Sequence, residues 1–263
     1  MEIDLYVFEV IVPGTWLDYK DPDWCWKIEG IVGNLQSHFF EANISLNLFV
    51  GERHNKSRTD VGEQWDRDSK RRNEIREKIE EKYKGSFSRD NWELVHFETE
   101  VELKKEKWRT GVQPREFEHN TVFIFARSFL YALDAFNKML KVLSEEENVP
   151  EKLKQLFQQF TETFPDLSYL RNSAQHIEDR VRGLGPHGKV LDLKPIENSF
   201  INAPNGGVLV INNLNGTKYG STMSNGHYGE VDVSVKSMEL LQVIFQEVLK
   251  SFEWKGPIQH EPK

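Results

Sequence analysis

Residues 170–183 read LRNSAQHIEDRVRG and concentrate side chains that can act on a phosphate. On an uninterrupted helix, successive residues turn by about 100°, so Asn172, His176 and Arg180 stack at i, i+4 and i+8 on one face. An imidazole that titrates near neutrality can take or give a proton. A guanidinium can neutralise a phosphate or its pentacovalent transition state. The amide of Asn172 can hold either partner. Together these groups suffice for cleavage of RNA without a metal, the 2′-hydroxyl attacking its own phosphate. Residue spacing by itself favours a plainer arrangement, with His176 paired to Asp179 and Arg180 in a surface ion pair with Glu178 or with acids elsewhere.

The elements that must position this stretch are helical. Trp24, Ile28, Ile31, Leu35, Phe39, Ala42, Leu46 and Phe49 follow steps of three and four, which predicts a helix over 22–50 opened by Asp21-Pro22. Residues 63–84 form a charged segment expected to stop at Gly85. Residues 88–108, starting at Ser88, read as helix or strand, because VHFETEVEL also alternates. Phe117, Phe125, Phe129, Leu133, Phe136, Leu140 and Leu143 make an apolar stripe through 115–145. Pro150 opens another helix, with Leu153, Leu156, Phe157 and Phe160, and Pro165 ends it. Asp166 is then the expected N-cap of one helix running to Gly183. After Gly183 the pattern shortens to β-type runs among Gly, Asn and Pro, a hairpin or meander over 189–235. A final helix over 236–252 presents Met238, Leu241, Ile244, Phe245, Val248 and Phe252, and the tail GPIQHEPK is expected to be loose.

Several other features carry less. Gly183 to Lys189 fit the first positions of a phosphate-binding loop, but Val190 stands where a magnesium-holding hydroxyl is required, and no strand precedes it. The segment reads as a helix stop and turn. The run RDSKRRNEIREK at 67–78 reads as a solvated helix face, with contact to a phosphate backbone as the lesser reading. The histidines lack metal-ligand spacing, so neither a metal nor a cofactor is expected. One cysteine excludes an internal disulfide framework. A net charge of −8 confines any nucleic-acid contact to a local site. No apolar run is long enough to span a membrane, and the expected home is the cytoplasm.

Arg171-Asn172-Ser-Ala-Gln-His176 resembles the R-x4–6-H motif of the HEPN superfamily (higher eukaryotes and prokaryotes nucleotide-binding domains), in which a polar residue, often Asn, commonly follows the Arg. The resemblance covers residues 115–252 at most. It implies a helical domain; with the β-type runs read above, the expected fold is mainly α, a HEPN-like helical bundle with a small β insertion before the last helix that a minimal bundle of the family lacks. The corresponding domains are an N-terminal, largely helical region, 1–112, packed on a HEPN-like domain, 113–255, with a tail at 256–263. Many members of that family are metal-independent endoribonucleases of toxin–antitoxin or anti-phage systems, with a composite site at a homodimer interface. Carried over, His176 would be the acid/base group, Arg171 the phosphate stabiliser and Asn172 the positioning group; Arg180 as a phosphate-binding group is added from helix geometry. Arg171 and His176 lie roughly 140° apart around a helix, so a second copy would be needed to present both to one phosphate. The implied partners are RNA, a second copy of the chain and an antitoxin or operon partner. The alternative is a non-catalytic HEPN-like RNA- or protein-binding scaffold.

Overall fold

A computed structural model describes residues 5–56, 61–83 and 89–263. The fold is mainly α, a helical bundle with small antiparallel sheets. The chain divides into two compact units, residues 1–51 with 123–263, and residues 52–122.

In the larger unit, β1 (Val10–Val12) and β2 (Trp16–Leu17) lead into α1 (Pro22–Lys56). Asp21 caps α1, its Oδ1 accepting from the backbone N–H groups of Asp23 and Trp24 at 3.0 and 3.3 Å. The step-of-three-and-four stripe is largely the buried face, with Ile28, Leu35, Phe39, Ala42, Leu46 and Phe49 buried, but Val32 is buried in place of Ile31, and Trp24 is only partly covered. The helix α4 (Arg115–Glu145) buries Phe129, Leu133, Phe136, Leu140 and Leu143 likewise. Phe117, read as part of that stripe, is exposed. The next helix, α5 (Lys152–Thr163), buries Leu153, Leu156 and Phe160. The last, α8 (Val235–Leu249), buries Met238, Leu241, Ile244, Phe245 and Val248. Phenyl rings join these helices: Phe245 lies 5.3 Å from Phe39 and 5.7 Å from Phe136, and Phe136 lies 5.7 Å from Phe160. Offset and edge contacts of this kind add to plain area burial.

The β insertion is present. A two-stranded hairpin, β3 (Ile196–Glu197) with β4 (Asn202–Ala203), precedes a meander in the order β5 (Asn213–Asn215), β6 (Lys218–Thr222), β7 (Tyr228–Asp232). The chain then ends in β8 (Trp254–Lys255) and β9 (Gln259–Glu261). The tail is not loose: β9 pairs antiparallel with β1, Val10 opposite Glu261, and β8 pairs with β2. Pairing with β9 satisfies the backbone groups along one edge of β1.

In the smaller unit, α2 (Val61–Lys82) and α3 (Arg89–Arg109) form an antiparallel pair around Ile75, Ile79, Val95 and Leu103. The segment VHFETEVEL is thus helical. Gly85 and Ser88, the expected stop and start, lie outside the described residues. The basic run of α2 is a solvated face tied to α3. Arg71 grips Glu106 through two parallel hydrogen bonds of 2.8 Å and reaches Glu74, and Arg72 reaches Glu100. The Glu106 carboxyl is held below its ordinary range by the Arg71 hydrogen bonds.

Candidate functional site

The stretch 166–183 is not one helix. After α6 (Leu167–Gln175) the chain breaks at His176, with φ −108° and ψ 45°, and resumes as a single turn, α7 (Ile177–Arg180). Asp166 makes no side-chain cap on α6; its Oδ2 instead accepts from the Glu230 backbone N–H at 3.3 Å, docking the start of α6 on β7. Gly229 permits this approach, since a Cβ there would stand 2.9 Å from the same oxygen. Gly183, at φ +70°, ends the segment as expected.

The break redistributes the four expected site residues. Arg171 lies along α6 and is tied inward: its Nε donates to Asp134 Oδ2 on α4 at 2.8 Å, and its Nη1 donates to Gln175 Oε1 at 2.7 Å. The Asp134 side chain is only 4% exposed, and it also takes Lys138 at 2.7 Å. Arg180 is a buried brace. It is 3% exposed, its Nε donates to Ser173 Oγ at 3.2 Å, and its Nη1 donates to the Leu184 carbonyl at 2.5 Å. Those bonds fasten the following loop to α6, helped by Leu184 N–H to Asp179 O at 2.9 Å and Leu191 N–H to Gly183 O at 2.8 Å. Arg180 is therefore committed largely to structure, not displayed as an open phosphate clamp.

His176 and Asn172 come together on a cleft. It has a volume of about 330 Å³, and its wall also includes Asp179, Arg180, Pro186, His187 and Ser224. Three pieces of chain build it: the α6–α7 break, the loop 183–191, and the turn between β6 and β7. The His176 side chain is 59% exposed, with Nδ1 3.6 Å from Glu178 Oε1. His176 is neither buried nor locked to a carboxylate, so its imidazole is open to a ligand.

His187 was not among the expected site residues. It lies in a short 3-10 turn, Pro186–Gly188, at φ +58° and ψ 27°, a left-handed conformation unusual for a side chain with a Cβ. Gly185 N–H to Lys189 O at 2.7 Å closes the loop beneath it. The only signal in the sequence was the group of glycines and a proline around it, which read as a turn. Only the fold brings that turn against the motif.

His176, Glu178 and Asp179 also present one imidazole nitrogen and two carboxylate oxygens within 4.8 Å of one another. Asp179 Oδ1 accepts from Arg182 Nη2 at 2.6 Å. Chemically, the cleft wall brings together two histidines, an asparagine, a serine and Asp179, with Glu178 beside His176. That set can transfer protons or hold a cation.

In comparisons with known proteins, the chain matches no protein-family model, no curated protein and no solved structure.

Proposed function

We propose that the chain is a metal-independent endoribonuclease of the HEPN type, a cytoplasmic homodimer serving a toxin–antitoxin or anti-phage system. The observation that carries this reading is the exposed His176 imidazole on a cleft shared with Asn172 and His187. In this scheme His176 removes the proton of the ribose 2′-hydroxyl. The O2′–P bond forms, the P–O5′ bond breaks, and the His187 imidazolium returns a proton to the departing 5′ oxygen. The products are a 2′,3′-cyclic phosphate and a 5′-hydroxyl, so no water or metal enters the balance. Asn172 orients the phosphate. Arg171, aimed by Asp134 and Gln175, stabilises charge on the phosphate of a site completed by the second copy. Arg180 keeps the His187 loop in place.

A non-catalytic RNA- or protein-binding scaffold is the second reading, favoured by the pairing of Arg171 with the buried Asp134. The deciding experiment incubates the full-length protein with mixed RNAs in EDTA, beside His176→Ala and His187→Ala. Cleavage that falls by about 100-fold or more in both variants supports the enzyme. A wild-type protein that leaves RNA intact, or cleavage indifferent to His176, overturns it in favour of the scaffold.

A further inference from the structure

We propose that His176, Glu178 and Asp179 form a binding site for a divalent transition-metal ion of the zinc or cobalt class, beside the cleft that His176 and Asp179 line. The three donor atoms already lie within 4.8 Å of one another, and His176 Nδ1 stands 3.6 Å from Glu178 Oε1. A tetrahedral ion with bonds of about 2.1 Å holds its ligands about 3.4 Å apart. The imidazole–carboxylate pair is therefore near its final spacing. The remaining spacings are at most 4.8 Å, so small side-chain movements close the set on an ion. The break at His176 makes this set possible: on a continuous helix, residues 176 and 178 point to different sides, whereas the non-helical ψ of His176 lets its ring approach Glu178.

Charge and chemistry favour the same ion. Two carboxylates neutralise a dication, and the imidazole nitrogen selects zinc or cobalt over magnesium or calcium, which prefer all-oxygen sites. Arg182, donating to Asp179 Oδ1 at 2.6 Å, is an outer partner that fixes the carboxylate, as such partners do around metal ligands. Three protein ligands leave a coordination position open, and Asn172 and His187 stand on the adjoining cleft. The inference rests on these distances and not on the proposed ribonuclease activity, although both use His176. An ion on His176 would occupy the nitrogen lone pair on that ring edge and block the cleft, so metal and cleavage would compete.

The test is titration of the untagged full-length chain with zinc chloride by calorimetry, and with cobalt chloride by visible absorbance, in the absence of RNA. The expected result is one saturable equivalent per chain, with affinity lowered at least about tenfold by Glu178→Gln, Asp179→Asn and His176→Ala. Glu178 and His176 are mostly exposed, so their variants retain the fold, which circular dichroism verifies. Absence of saturable binding, or affinity unchanged in all three variants, overturns the site. Because the RNA assay runs in EDTA, the two ideas fail separately. Metal binding without RNA cleavage leaves this site standing alone, and cleavage without metal binding removes it.

Discussion

Asp134 ties the motif helix to α4 through Arg171. It is nearly fully buried on α4, and it accepts from Arg171, Lys138 and, at 3.4 Å, from Ser168. A buried carboxylate is tolerated only because these donors replace its water. Removing it strands Arg171 in a half-buried place with one partner fewer. Asp134→Ala is expected to destabilise the protein by about 3–5 kcal/mol, read by urea unfolding, with Asp134→Asn costing less because the amide still accepts from Arg171. Equal and negligible losses in the two variants would show that Arg171 does not depend on this partner. Arg180 belongs to the same scale. Its planar fork joins Ser173 to the Leu184 carbonyl, a geometry that lysine does not reproduce.

Among elements, α5 and α8 pack against each other in the bundle. Glu247 on α8 is the clamp, accepting from Lys152 of α5 and from Lys250 at 3.1 Å. The Lys152 hydrogen bond, then that of Lys250, holds the Glu247 carboxyl below its ordinary value of 4.5. A carboxyl with a lowered folded pKa adds stability that is complete above 4.5 and is lost as pH falls through the folded value. Glu247→Gln is therefore expected to lower stability at neutral pH modestly and to flatten the fall in stability below pH 4.5, measured by thermal melts across that range. A variant melting with an unchanged pH slope would contradict the clamp. The β6–β7 turn is a second element-scale device. Gly226, at φ +83°, sits where a Cβ would stand 1.9 Å from the Asp192 carbonyl, and Lys194 N–H bonds to its carbonyl at 3.0 Å. That contact sets Ser224 in the cleft wall.

At the scale of the whole molecule, the two ends of the chain are one structure. β1 depends on β9, and Gln246 of α8 clamps Ile11, its Oε1 accepting from the backbone N–H and its Nε2 donating to the carbonyl, both at 2.8 Å. Deleting residues 256–263 should lower unfolding free energy by roughly 1–3 kcal/mol and speed amide exchange at Val10 and Val12, while leaving α1 and α4 protected. Unchanged exchange in β1 would show that Gln246 alone holds it. Among the described residues, no helix is long and apolar enough to cross a membrane.

The long helices were legible because their cause is local. A residue at every third or fourth position either has or lacks an apolar side chain, and Ile28 to Phe49 or Phe129 to Leu143 can all be buried by one straight helix. The β insertion was legible for the same reason, since glycine and asparagine punctuate short runs wherever they occur. What only the tertiary structure decided depends on partners far away in sequence. Arg171 meets Asp134 37 residues off, β1 meets β9 near the opposite end of the chain, and VHFETEVEL becomes helix by burying Val95 and Leu103 against Ile75 and Ile79. The motif itself is the clearest case. No glycine or proline marks His176 as a break, so local periodicity predicted one continuous helix with Asn172, His176 and Arg180 in a row. The buried bonds of Arg180 to Ser173 and Leu184 hold a different path, which puts Arg180 inside and His176 outside, with His187 on the same cleft. Residue types determined which chemistry was available; long-range hydrogen bonds decided which of those side chains face solvent together.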